Sequence, residues 1–143
     1  MIVGFNHTSF TVADLDAALR FWGMLGFEGP GIVERDAPWV AAVTGVPGAL
    51  IRVAHLHGHG HHMEFIEYRE GDRANPTALP NVPGTGHVCL EVVDIHATLA
   101  QLLGAGGSPL GEMTEIDHPG MARCRAGYLR DPNGIIIELL EMR

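Results

Sequence analysis

The chain has 143 residues, 46% hydrophobic and 18% charged, which fits one domain with an apolar core. Its formal net charge of −8 excludes non-specific nucleic-acid binding. With no apolar run long enough to span a membrane, no charged-then-apolar leader, and only Cys89 and Cys124, a cytoplasmic protein without a disulfide framework is expected.

Residues 3–12 alternate as a strand, with Asn6, Thr8, Phe10 and Val12 on one side and Phe5, His7, Ser9 and Thr11 on the other. Asp14 is the expected N-cap of a helix in which Leu15, Leu19, Trp22 and Leu25 recur, and Gly26 ends it. Residues 32–35 read as a short strand, and 36–48 as a loop with a helical turn around Trp39. Strands follow at 50–56 and 61–68, joined by a turn at 58–60. Residues 71–84, with Pro76, Pro80 and Pro83, read as a linker between module one (1–70) and module two (85–143). In module two, strand 87–92 precedes a helix capped by Asp94, with Ile95, Leu99 and Leu102 on one face and Gly104, Gly106 and Gly107 ending it. Strands are expected at 109–113, 121–129 and 135–142, the last after the turn Asp131-Pro132-Asn133-Gly134.

The second module repeats the first. At an offset of 80 (87 − 7), His7 falls on His87, Val12 on Val92, Asp14 on Asp94, Ala17 on Ala97 and Leu19 on Leu99. At an offset of 74 (138 − 64), Met63-Glu64-Phe65-Ile66-Glu67 falls on Ile137-Glu138-Leu139-Leu140-Glu141. Each half thus supplies one histidine near its start and one glutamate near its end. Alternation places Met63 and Phe65 in one row and His62, Glu64 and Ile66 in the other; likewise Ile135, Ile137 and Leu139 oppose Ile136, Glu138 and Leu140. The helix is expected on the apolar row, leaving His7, Glu64, His87 and Glu138 on the concave side.

Two imidazoles and two carboxylates suit a borderline divalent cation: Zn²⁺, Ni²⁺, Co²⁺, Mn²⁺ or Fe²⁺. Such an ion chelating a carbonyl and a neighbouring oxygen stabilises an enediolate, and Glu64 or Glu138 then carries the proton. Other residues receive narrower expectations. In the tract His55-Leu56-His57-Gly58-His59-Gly60-His61-His62 the histidines are expected to face water, except that His62 shares the row of Glu64 and is a candidate substrate contact. Tyr128 is a second candidate substrate contact, and Arg123, Arg125 and Arg130 are candidates to hold an anionic tail. His118 sits in a loop able to close over the site. Cys89 is expected to be a buried thiol, and Glu67 and Glu141 to be exposed or at sheet ends.

The chain resembles the vicinal oxygen chelate (VOC) superfamily, the fold of glyoxalase I, bleomycin-resistance proteins and type I extradiol dioxygenases. The resemblance rests on His7-Thr8 with Val12-Ala13-Asp14-Leu15-Asp16-Ala17-Ala18, Phe21-Trp22 and Leu25-Gly26-Phe27; on Met63-Glu64-Phe65-Ile66-Glu67; on Gly86-His87-Val88 with Val92-Val93-Asp94; and on Tyr128-Leu129-Arg130-Asp131-Pro132-Asn133-Gly134 before Ile137-Glu138-Leu139. It covers essentially the whole chain. It implies an α+β fold of two βαβββ modules forming a cup-shaped mixed β-sheet with helices on the convex side, and a homodimer. It also implies metal ligation by His7, Glu64, His87 and Glu138. A His/Glu/His/Glu set looks like bacterial glyoxalase I, whereas the similar methylmalonyl-CoA epimerases usually have Gln in place of Glu64. Glyoxalase I often has an arginine four residues after the first histidine, near the glutathione carboxylate; this chain has Thr11.

Three functions are therefore weighed. The first is a metal-dependent lyase or isomerase acting on a small oxygenated substrate. The second is an Fe²⁺ dioxygenase using His7, His87 and Glu138, against which Glu64 stands as a fourth ligand. The third is a non-catalytic protein that binds a drug or metabolite.

Overall fold

The computed structural model describes residues 1–70 and 78–143, so residues 71–77 of the expected linker lie outside the described residues. The chain divides into two compact units, Met1–Asn75 and Pro76–Arg143. The first unit contains β1 (Thr8–Thr11), α1 (Leu15–Met24), β2 (Ile32–Arg35), α2 (Pro38–Thr44), β3 (Ile51–Gly58) and β4 (His61–Tyr68). Its sheet runs β1-β4-β3-β2, with β1 parallel to β4 and the other pairs antiparallel. The second unit contains β5 (His87–Glu91), α3 (Ile95–Gly104), β6 (Ser108–Pro109), β7 (Thr114–Ile116), β8 (Cys124–Arg130) and β9 (Ile136–Met142). Its sheet runs β5-β9-β8-β6, β5 parallel to β9, with β7 also on β8. The fold is α+β with two mixed sheets.

The repeat survives in backbone detail. Asp14 and Asp94 cap α1 and α3 with nearly the same dihedrals (φ −136°, ψ 102° and φ −137°, ψ 102°). Each carboxylate accepts a hydrogen bond from the amide three residues on, Ala17 at 2.8 Å and Ala97 at 2.9 Å. On α1, Leu15, Ala18, Phe21 and Trp22 are buried, and the Trp22 ring lies 5.5 Å from that of Phe65 on β4. Filling this layer with aromatic rings stabilises the unit, each fully buried ring contributing about 1.5–3 kcal/mol.

The row that α1 and α3 cover ends in a charge, which corrects the expectation for Glu67 and Glu141. Both are buried. Glu67 accepts a hydrogen bond from the amide of Leu15 at 2.9 Å, and Glu141 from that of Ile95 at 2.8 Å. Each carboxylate satisfies a first-turn N–H and sits at the positive end of the helix dipole. In the first unit Arg52 also pairs with Glu67 at 3.1 Å and with Asp16 at 2.9 Å.

Element boundaries differ from the sequence reading in several places, among them the strand expected at 121–129, which is β8 at Cys124–Arg130. The first strand begins at Thr8 rather than residue 3, because β4 starts at His61 and the parallel register Thr8↔Met63 carries residues 3–5 past its end. The expected loop 36–48 contains α2, opened by Pro38 and closed at Gly45 in the left-handed region (φ 71°). Val40 of that helix is buried with Ala49 and Ile51 against Ile66 and Tyr68, while Trp39 stays exposed. The expected strand 109–113 splits, because the amides of Leu110 and Gly111 both donate to the one carbonyl of Tyr128, at 3.1 and 3.0 Å. Two residues then oppose one, and the ladder resumes only at β7.

Among the described residues, no helix is long and apolar enough to cross a membrane.

Candidate functional site

Sheet register brings the expected residues together within each unit. Across β1, β4 and β3, Ser9 lies opposite Glu64 and Glu64 opposite His55. Across β5, β9 and β8, Cys89 lies opposite Glu138 and Glu138 opposite Tyr128. The central glutamate of each sheet is on the row turned away from the helix, as the alternation requires.

In the first unit His7 Nε2 lies 3.4 Å from Glu64 Oε1 and His55 Nε2 lies 3.4 Å from Glu64 Oε2. Ser9 Oγ donates to Glu64 Oε1 at 2.7 Å, and the Asn6 amide oxygen meets His7 Nδ1 at 2.7 Å. In the second unit His87 Nε2 lies 3.1 Å from Glu138 Oε2, and the His87 and Tyr128 rings are 5.1 Å apart. Burial pushes the Tyr128 phenol up, and the Glu138 carboxylate adds to the effect. The Cys89 thiol is likewise pushed up, first by burial and then by Glu138. Yet Cys89 is exposed, not the buried thiol expected, because it sits on edge strand β5 in the row away from α3.

The histidine tract is a hairpin with His57, His59 and His61 exposed, as expected, and His55 and His62 half-buried. Only His59-Gly60 forms the turn, with φ of 51° and 76°, the left-handed pair of a tight hairpin. Even His59 is held, its Nε2 2.7 Å from the Leu25 carbonyl and its ring 5.4 Å from that of Phe27. His57 pairs with His62 and stacks on it at 4.2 Å, while His55 Nδ1 meets His62 Nε2 at 3.0 Å. His62, 5.4 Å from the His7 ring, has its basicity lowered first by burial and then by the neighbouring imidazoles.

The arginines divide differently. Arg123 is exposed and pairs with Glu115 and, at 3.6 Å, with Asp117. Arg125 lies in the row opposite to Glu138, 3.7 Å from Glu115. Arg130 shares the row of Glu138, but it is buried and donates to the carbonyls of Gly134 at 2.9 Å and Ala78 at 2.7 Å. His118 is exposed in its loop, with Nδ1 2.9 Å from the Pro119 carbonyl. Ser9 and His55 are contacts that the sequence reading assigned no role. Ser9 carried a usable signal, since it shares a row with His7 and falls on Cys89 at the repeat offset of 80 (89 − 9).

One imidazole nitrogen and one carboxylate oxygen at 3.1–3.4 Å match two ligands of one ion, since metal bonds of about 2.0–2.2 Å put neighbouring donors roughly 3.0–3.4 Å apart. The donor types suit a borderline divalent cation. Among the described residues, no group of three or more His, Cys, Asp or Glu is gathered to hold an ion.

Residues 4–139 match the model of the Glyoxalase/Bleomycin resistance protein/Dioxygenase superfamily, and the chain belongs to that family. A curated relative, the 2-epi-5-epi-valiolone epimerase of Actinomyces sp., is 28% identical over 98% of this chain and 80% of its own length. The chain is similar to a glyoxalase family protein of Bacillus cereus at a TM-score of 0.86 and 25% identity, over 99% of this chain and 95% of that one. It shares its fold with the fosfomycin resistance protein FosX of Listeria monocytogenes, solved with Mn(II) and sulfate, at a TM-score of 0.63 and 15% identity, over 100% and 95% of the two chains.

Proposed function

We propose that the protein is a metal-dependent isomerase or lyase of the glyoxalase type. In this reading one His–Glu pair from each repeat, His7 with Glu64 and His87 with Glu138, holds a divalent cation. The observation that carries it is the same pairing found twice, at 3.4 Å and 3.1 Å. The epimerase relative supports isomerase chemistry over lyase chemistry.

A divalent ion supplies electrostatic polarisation of a substrate carbonyl, which acidifies the neighbouring C–H. The protein's own groups do the rest. Glu138 is the proton acceptor in this account: its carboxylate meets His87 at 3.1 Å and is flanked by Tyr128 and by the Cys89 thiol, which hydrogen-bonds it. Glu64, tied to Ser9, His7 and His55, is the more restrained carboxylate and returns a proton to the opposite face or holds its place as a ligand. Epimerisation follows when the proton leaves one face and another arrives on the other. Tyr128 and His62 contact the substrate in this account, and Arg123 lies at the margin.

Glu138→Gln is the test. It keeps shape and removes the base, so exchange of the substrate α-proton with solvent should fall by at least about 10²-fold with the circular dichroism spectrum unchanged. Full exchange in that variant contradicts the assignment.

A further inference from the structure

The β3–β4 hairpin carries more imidazole than the proposed function uses. His55, His57 and His62 share the row of Glu64, with His57 opposite His62 and His55 opposite Glu64. Nδ1 of His55 lies 3.0 Å from Nε2 of His62. Each of these two rings also meets an acceptor. Nε2 of His55 lies 3.4 Å from Oε2 of Glu64, and the His62 ring hydrogen-bonds the backbone of Asn6. A neutral imidazole has one N–H to donate. With that proton turned to Glu64 in one ring and to the Asn6 carbonyl in the other, the two nitrogens that face each other both present lone pairs. Lone pairs at this separation repel unless a cation joins them.

Metal-bound histidines are held in this way, one nitrogen on the ion and the other donating to a carboxylate or a backbone carbonyl. The 3.0 Å between the nitrogens is the spacing of neighbouring ligands with bonds of about 2.0–2.1 Å that meet near a right angle. Near-right angles belong to square-planar and octahedral ions rather than to tetrahedral Zn²⁺, and affinity for nitrogen ligands rises through Ni²⁺ to Cu²⁺. Both rings are half-buried, so water reaches the remaining positions around such an ion. His57 is exposed and stacks on His62 at 4.2 Å with 19° between the planes, which fixes the plane of the His62 ring.

We propose that Nδ1 of His55 and Nε2 of His62 form a second metal site, which takes a Ni²⁺ or Cu²⁺ ion, with His57 as the residue that orients His62. The inference does not depend on the isomerase reading, because its two ligands lie outside the set of His7, Glu64, His87 and Glu138. Two protein ligands hold an ion more weakly than four, so this site fills with added ion and empties on dialysis against buffer.

The test is equilibrium dialysis of full-length, untagged protein against a range of Ni²⁺ concentrations, with bound ion counted by mass spectrometry. At saturation the wild type should hold about one ion per chain more than His62→Phe, which keeps a ring to stack on His57 and loses both nitrogens. His55→Phe should lose the same ion. His62→Gln, which keeps a polar side chain in the half-buried position, should lose it too and guards against a folding defect in the phenylalanine variants. His61→Phe, an exposed position of the same hairpin in the other row, should retain it. His57→Ala removes the stack and should weaken binding of that ion roughly tenfold, whereas His57→Phe should not. Equal saturation of the wild type, His55→Phe and His62→Phe overturns the site. Loss of the ion in His61→Phe as well overturns it in favour of loose binding by the tract as a whole. Unweakened binding in His57→Ala overturns the orienting role of His57.

Discussion

Ser9 Oγ donates a 2.7 Å hydrogen bond to Oε1 of Glu64 across the parallel ladder of β1 and β4. The repeat puts Cys89 at the equivalent place opposite Glu138. A hydroxyl is a stronger donor to a carboxylate than a thiol, so the two glutamates are tethered differently although their strands are alike.

Ser9→Ala removes that tether without touching His7 or Glu64. Groups that orient a ligand carboxylate typically matter by 10–100-fold in metal affinity. The variant should bind its divalent ion about tenfold more weakly, measured by competition with a chromogenic chelator. Ser9→Cys, which copies the second repeat, should fall between the two. Affinity unchanged in Ser9→Ala contradicts the account of Glu64.

Glu67→Ala should be among the more damaging single changes in the first unit. It leaves the Leu15 amide without its acceptor and strips Arg52 of its buried partner. The expected loss is about 2–3 kcal/mol, read from urea unfolding at fixed m-value. Glu67→Gln keeps a carbonyl oxygen for Leu15 and should retain part of that stability. The parallel change Glu141→Ala should act through Ile95 in the same direction.

The Arg123 guanidinium, by hydrogen bond and then by charge, holds the Glu115 carboxyl below the usual 4.5. A carboxyl with a depressed folded-state value contributes stability that is fully present above pH 4.5 and is lost as pH falls through the lower folded value. Arg123→Ala should move the Glu115 titration back towards 4.5 in carboxyl-resolved NMR and make the acid-side loss of stability less steep. A Glu115 titration unmoved by the substitution contradicts the pairing. Because the pair is exposed, stability at neutral pH should hardly change.

The caps at Asp14 and Asp94, the strand at His61–Tyr68 and the row shared by His62 and Glu64 were legible in the sequence, because each depends on local propensity or period-two alternation. The duplication made the His–Glu pairing legible as well, since pseudo-equivalent strands carry pseudo-equivalent side chains. Glu67 and Glu141 were misplaced because a charge closing an apolar row looks like a strand end. Its partner is a backbone amide some fifty residues away (67 − 15 = 52, 141 − 95 = 46), which alternation does not see. The contacts within the histidine tract were not legible for a similar reason: only the cross-strand register His57↔His62 and His55↔Glu64 shows which imidazoles meet.

The most direct measurement is the metal content of untagged protein by inductively coupled plasma mass spectrometry, with a His7→Ala/Glu138→Ala variant prepared alongside. The account predicts about one divalent ion per chain, since four ligands complete one site, and loss of that ion in a variant that still folds. Protein that takes up no ion after reloading with Zn²⁺, Ni²⁺, Co²⁺, Mn²⁺ or anaerobic Fe²⁺, or that keeps its ion in the double variant, contradicts it.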